Sequence, residues 1–91
     1  MQRYVIEREI PGIGAMSPSE LSVASATSNA ALEKLKGRVQ WEHSYVAGEK
    51  TFCVYLSEDE DAIREHASIS GFPANAITPI TTIIDPTTGR A

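Results

Sequence analysis

Cysteine is almost absent from this sequence, whose 91 residues contain one, Cys53. A single thiol cannot form a disulfide within the chain, and it fits a reducing compartment. No apolar run is long enough to cross a bilayer. Residues 1–7 lack the apolar stretch of a secretory signal, because charged side chains interrupt them. We therefore expect a cytoplasmic protein in which Cys53 is a small apolar filler.

Basic residues are also scarce. Lysine and arginine number 8 against 12 acidic residues, which gives a net charge of -4. No basic cluster is available to release counterions from nucleic-acid phosphates. The sequence likewise lacks a basic amphipathic helix of the kind that binds membrane surfaces. These features predict that neither nucleic acid nor a membrane is a partner.

Catalytic motifs are missing as well. The sequence has no serine nucleophile elbow, no glycine-rich phosphate loop, no paired-cysteine zinc motif and no His-Glu-x-x-His. An active site normally needs an acid, a base and a nucleophile that converge. The absence of such motifs favours a protein that is not an enzyme.

What the sequence does contain is an ordered series of helix and strand signals within one domain, residues 1–91. Alternation of apolar and polar residues indicates strands, and capping patterns followed by helical spacing indicate helices. The predicted elements are a strand over residues 4–10, a helix from Ser17 to Gly37, strands over 39–46 and 51–56, a helix from Ser57 to about Ser70, a strand over 77–84 and a frayed tail over 85–91. Gly71 is expected to stop the second helix.

This order of elements predicts an α+β fold of the ferredoxin-like type. Two right-handed crossovers flank a hairpin, which gives an antiparallel sheet of order 4-1-3-2 with both helices on one face. The other face must be solvated or covered, and a second subunit often covers it in a domain this small. We therefore expect a homodimer.

The short connection at residues 47–50 sets the register of the hairpin. With Gly48 and Glu49 at its tip, we expect three facing pairs on one side of the sheet. A slip of one residue would exchange the two faces. The expected pairs are Tyr45 with Phe52, His43 with Val54, and Trp41 with Leu56. In the first strand, Arg8 falls on the apolar side, and the sequence gives no reason for it.

His43 and His66 are the only imidazoles of the chain, and each lies within a predicted element. Neutral imidazole is the commonest nitrogen ligand for transition metals, and it changes charge near neutral pH. Both residues also have a plain interpretation. His43 could pack between strand aromatics, and His66 could close the end of a helix. The two rings could meet across the helix–sheet layer only if His43 lies on the helix-covered face.

Five segments of the sequence resemble the small bacterial nickel-binding family of the DUF4242 type. They are residues 4–12, 40–46, 53–55, 64–67 and 71–73, and the likeness extends to 84–87. The resemblance implies a ferredoxin-like subunit that dimerises and binds nickel ions, and it implies a role in nickel sequestration or response. It implies His43 and His66 as metal ligands, since these two histidines lie in matching segments.

Two other functions stay open from the sequence. A dimer of this fold could enclose a small-molecule pocket against the sheet, lined by Trp41, Tyr45, Phe52 and Tyr55. His43 would then act as acid or base in a binding protein or a cofactor-independent enzyme; this rests on fold analogy alone. The remaining possibility is an interaction module whose function is dimer formation itself.

Overall fold

The computed structural model describes residues 1–90 and contains one antiparallel sheet of four strands, with two helices packed on one face. The strand order is β2-β3-β1-β4, which is the predicted order read from the other edge. The predicted ferredoxin-like arrangement is confirmed. The elements are β1 (Gln2–Glu9), α1 (Pro18–Lys34), β2 (Val39–Ala47), β3 (Lys50–Ser57), α2 (Glu60–Ser70) and β4 (Ala76–Pro79).

The start of α1 follows the predicted capping box. The Ser17 side chain accepts a hydrogen bond from the Glu20 amide, and the Glu20 carboxylate accepts one from the Ser17 amide. Pro18 occupies the first helical position, where its missing N–H costs nothing. After the helix, Lys36 and Gly37 both have positive φ, which turns the chain into β2.

The start of α2 differs from the prediction. Ser57 is the last residue of β3 and is fully buried, so it does not cap the helix. The cap is Asp59, whose carboxylate accepts a hydrogen bond of 2.8 Å from the Ala62 amide. Both serine and aspartate cap helices well, so the sequence alone did not separate them. Gly71 ends α2 in the left-handed conformation, as predicted.

The last strand is shorter than the predicted residues 77–84. β4 ends at Pro79, although the Ile80 amide still donates to the Arg3 carbonyl at 2.9 Å. Tyr4 faces Pro79 in the register and β1 begins at Gln2, so residues beyond 81 lie past the paired part of β1. Abundant β-branched residues therefore did not extend the strand, because a strand needs a partner.

A β-bulge in β2 changes the predicted hairpin register. Tyr45 faces Phe52 and His43 faces Val54 as expected, but Trp41 faces Tyr55 instead of Leu56. The irregularity lies between Trp41 and His43, where β2 carries one extra residue. The prediction that Trp41 and His43 share a face is therefore wrong.

The hydrophobic core lies between the sheet and the two helices. Alternate residues of β1 and β3 point into it, which accounts for the period-two pattern of the sequence. The helices contribute small and branched aliphatic side chains that fit closely over the sheet. Core residues are Tyr4, Ile6, Leu35, Val39, Cys53, Tyr55, Ala62 and Ile63. Within residues 1–90, no helix has the length and apolar composition needed to cross a membrane.

The loop after β1 packs directly on the tip of the β2–β3 hairpin. The Ile10 amide donates to the Glu49 carbonyl at 2.9 Å, and the Gly12 amide donates to the Glu49 carboxylate. Gly14 approaches the carbonyl of Gly48 so closely that an added Cβ would overlap it. A side chain at position 14 would therefore separate the loop from the hairpin.

We predict that Gly14→Ala destabilises the protein by about 1–3 kcal/mol, the usual cost of overpacking a tight contact. The matched control is Gly89→Ala, because a Cβ there meets no atom within 4 Å. Urea denaturation of both variants measures the difference in unfolding free energy. Equal stability of the two variants would contradict the packing of this loop.

Candidate functional site

His43 lies on the face of the sheet that the helices leave uncovered. The pairings place four residues in one row across the sheet, in the order Thr78, Val5, Val54 and His43. The His43 side chain is exposed. Its ring contacts Tyr45 edge-on, with centroids 5.2 Å apart and planes at 83°. This contact orients the imidazole without enclosing it.

A shallow cleft of about 320 Å³ surrounds His43. An ion pair borders it, in which the Arg3 Nε lies 2.7 Å from Glu42 Oε1. The hydrogen bond and the charge of Glu42 raise the pKa of Arg3. Both side chains are partly exposed, and ion pairs near the surface contribute little to stability, so the carboxylate can exchange partners. The other lining residues are Tyr45, Val54, Ile80 and Ile83.

This uncovered face offers nitrogen and oxygen donors that nickel(II) accepts, but too few of them in one chain. His43 supplies an imidazole and Glu42 a carboxylate on the same cleft. Across the described residues, no group of three or more His, Cys, Asp or Glu side chains is close enough together to hold a metal ion. The donor types fit nickel, and a complete coordination shell requires water or a second copy of the chain.

His66 lies in a different environment, fully buried between α2 and the sheet. Its Nε2 shares a hydrogen bond of 3.1 Å with the Ser28 hydroxyl of α1. Its Nδ1 is buried without a hydrogen-bond partner among residues 1–90. Burial, followed by the positive charge of Arg8, lowers the pKa of His66 to about 4. The ring is therefore neutral at physiological pH.

The structure does not bring the two histidines together. His43 faces the uncovered side of the sheet, whereas His66 lies under the helices. The two rings could share a site within one chain only if His43 lay on the helix-covered face, and it does not. A metal ion could reach His66 only if α1 and α2 separated from the sheet. The assignment of each histidine as a ligand stays a prediction.

The aromatic pocket expected around His43 is also divided between the two faces. Trp41 and Tyr55 point toward the helices, while Tyr45 and Phe52 belong to the uncovered face. The bulge in β2 accounts for the position of Trp41, whereas Tyr55 and Phe52 are three residues apart on β3 and lie on opposite faces by regular alternation. A pocket lined by all four aromatic residues with His43 as acid or base is therefore not formed within a subunit.

Sequence reasoning missed the role of Arg8, which is only 2% exposed. Its Nη1 donates to the carbonyls of Phe72 at 3.3 Å and Pro73 at 2.8 Å, and its Nη2 donates to the Tyr55 hydroxyl at 3.5 Å. The guanidinium also lies over the Tyr55 ring, 5.9 Å from its centroid. The sequence did contain one signal: Arg8 is a charged residue at a position where the alternation of β1 predicts a buried apolar side chain.

A cavity of about 90 Å³ lies beside Arg8, between α1 and the sheet. The loop after β1 and the hairpin end of the sheet form its remaining walls. Cys53 lies in its wall, buried as predicted for a small filler. Apolar residues of the wall are Ile10, Ile13, Leu21, Ala24, Trp41, Val46 and Phe72, and hydroxyl-bearing residues are Ser25, Ser28, Ser44, Thr51 and Tyr55.

The four-stranded antiparallel sheet and the two helices on one of its faces define a ferredoxin-like α+β domain. The exposed imidazole of His43 lies on its other face. The family described as nickel responsive protein, SCO4226-like, matches residues 4–80, and the chain belongs to this family. The DUF4242 label stays a prediction. No curated protein matches the chain significantly.

A solved structure supports the same fold. The chain is similar to SCO4226 from Streptomyces coelicolor A3(2), with a TM-score of 0.72 and 18% sequence identity. The similarity covers 90% of this chain and 99% of that one. At this identity, the likeness establishes the fold and leaves individual site residues unassigned.

The environment of His66 predicts a specific pH dependence of stability. Its folded pKa of about 4 lies below the ordinary value of 6.5, so the unfolded chain takes up a proton first as the pH falls. Stability is lost progressively between about pH 6.5 and pH 4, by up to about 3 kcal/mol. Urea denaturation across this range should show a shallower dependence in His66→Phe than in the wild type. Identical slopes would contradict burial of a neutral imidazole.

Proposed function

We propose that the protein binds nickel ions, without catalysing a reaction, through His43 on the uncovered sheet face of a homodimer. One observation carries this proposal: the single exposed imidazole of the described residues lies on a strand, next to an exchangeable carboxylate, on the sheet face that carries no helix. The cellular role would be nickel sequestration or response in the cytoplasm. The family description, nickel responsive protein, supports the choice of metal.

The chemistry of the donors supports the same metal. Nickel(II) accepts imidazole and carboxylate ligands, and a given site binds it more tightly than manganese, iron or cobalt. A site built from His43 and Glu42, completed by water, would be open and exchangeable. Such a site suits reversible binding better than a closed structural zinc site does.

A second copy of the chain would supply further metal ligands at the same site. Most homodimers are two-fold symmetric, and an interface of this kind uses the same surface on both subunits. If the uncovered faces meet near the symmetry axis, two His43 rings approach one another. Two imidazoles and two carboxylates would then be available to the ion.

The apolar residues of the uncovered face also favour dimer formation. Tyr45 and Ile83 are 61% and 66% exposed in the isolated chain, although both have large hydrophobic side chains. Phe52, which faces Tyr45 in the register, and Val54, which lines the same cleft as Tyr45 and Ile83, are half-buried. A contiguous apolar patch of this kind on a small domain typically marks an interface.

The metal proposal predicts that His43→Ala weakens nickel binding at least tenfold, because the nitrogen ligand is lost. His66→Phe should leave the affinity unchanged, since that ring is buried away from the cleft. Calorimetric titration of untagged, metal-free protein with nickel measures both affinity and stoichiometry. An affinity tag must be absent because its histidines bind the same ion.

The two histidine variants control for one another in this titration. Unchanged binding by His43→Ala would show that the proposed ligand is wrong. Loss of binding in a folded His66→Phe variant would instead support the sequence-based assignment of His66. Circular dichroism establishes that each variant is folded.

The dimer proposal predicts that Tyr45→Asp shifts the protein toward monomers, because it places a charge within the apolar patch. Val23→Asp is the matched control, since Val23 is similarly exposed on α1, away from the uncovered face. Analytical ultracentrifugation with and without nickel measures the subunit equilibrium. A dimer that persists in Tyr45→Asp would place the interface elsewhere, and a dimer that binds no nickel would favour a plain interaction module.

A further inference from the structure

We infer that the cavity beside Arg8 is a binding site for a small organic monocarboxylate with a short apolar body. This site lies on the helix-covered side of the sheet, whereas the proposed nickel ligand faces the other side. The inference goes beyond nickel binding and does not depend on it.

The first argument is the charge of Arg8. A buried cation is normally paired, because removing a charge from water is costly. None of the ion pairs formed within residues 1–90 includes Arg8. Its partners are two backbone carbonyls and a phenol, all of which are neutral. The cavity wall, within the described chain, contains no acidic side chain either. An anion in the cavity would supply the missing negative charge.

The second argument is the unused hydrogen-bonding capacity of the guanidinium. Arginine has five N–H donors, and Arg8 makes three hydrogen bonds with the described residues. Two donors are left for a ligand. Arginine binds carboxylates in a two-pronged geometry that such a pair of donors can provide. The Tyr55 hydroxyl, already in contact with Arg8, offers a further polar group in the same wall.

The remaining walls define the rest of the ligand. They are largely aliphatic and aromatic, which favours an apolar body over a polyol or a nucleotide. The volume of about 90 Å³ is smaller than the ~150 Å³ cavity that admits benzene. By that comparison roughly four non-hydrogen atoms fit inside, and because the cavity opens to the surface at Val46, a slightly larger acid can keep its remaining atoms in the opening. A single arginine also matches one negative charge better than the two charges of a phosphate.

The cavity wall includes a residue at the protein surface, where a ligand can enter, and a tryptophan whose signal can report ligand binding. Val46 lines the cavity and is 45% exposed, so the cavity reaches the surface. Trp41 is the only tryptophan of the chain and lies in the same wall. Its indole Nε1 donates to the Ser44 hydroxyl at 2.9 Å. A ligand in the cavity would therefore change the indole NMR signal directly.

The test is a titration of the full chain with sodium isobutyrate, followed through the Trp41 indole signal. Isobutyramide has the same shape without the charge and is the matched ligand control, and sodium chloride controls for ionic strength. We expect a saturable shift with isobutyrate and at least tenfold weaker binding of isobutyramide. Equal binding of the two, or no saturable shift at high millimolar isobutyrate, would overturn the inference.

Two variants test the charge of Arg8 and the volume of the cavity separately. Arg8→Met removes the charge at similar length and should weaken isobutyrate binding at least tenfold. If that variant fails to fold, Ala24→Leu decides, because it fills the cavity from α1 and leaves Arg8 in place. Ala24→Leu should also lose isobutyrate binding while its nickel affinity stays that of the wild type. Retained isobutyrate binding in folded Ala24→Leu would place the ligand outside the cavity and overturn the inference.

Discussion

The β-bulge between Trp41 and His43 is the constraint on which the placement of functional groups depends. In a regular strand, these two residues would lie on the same face, because side chains alternate with period two. The extra residue switches the alternation, so Trp41 and Ser44 both face the helices and hydrogen-bond to each other. His43 is left on the uncovered face beside Glu42, whose carboxylate pairs there with Arg3. One local irregularity thus separates the aromatic wall of the cavity from the imidazole.

The helix-covered side is unusual because its core contains a cation and an imidazole. The segment after Gly71 supplies the two carbonyls that hold Arg8, so the end of α2 helps to position the charge. That charge, added to burial, opposes protonation of His66. The neighbouring imidazole is therefore neutral near pH 7, and the guanidinium disfavours a second positive charge beside it.

Much of the fold was predictable because local signals and topology agreed. The capping box at Ser17, the left-handed glycine at position 71 and the short hairpin connection were all readable, and together they determined the element order. The long-range features were not readable. The bulge depends on how β2 meets β3, and the end of β4 depends on where β1 begins.

The candidate sites were less predictable than the fold, for a related reason. Sequence spacing places His43 on a strand and His66 on a helix, but only the packing of the helices determines which face of the sheet is covered and that His43 lies on the other face. Arg8 was visible as a charged residue in an apolar row, yet none of its neutral partners is local. The carbonyls of Phe72 and Pro73 lie 64 and 65 positions away, and the Tyr55 hydroxyl lies 47 positions away, which is too distant for local patterns to identify.

The two proposed sites differ in how they depend on assembly. The cavity beside Arg8 is lined by residues of one chain, so its proposed occupancy would follow ligand concentration. In the proposed dimer, a nickel ion on the uncovered face would gain ligands from the second copy, so metal binding and dimer formation would be linked equilibria. Nickel would then stabilise the dimer, and the dimer would raise the affinity for nickel, by the same coupling free energy. The sheet would separate these two behaviours, because both α-helices of the same chain pack on one of its faces and neither packs on the other.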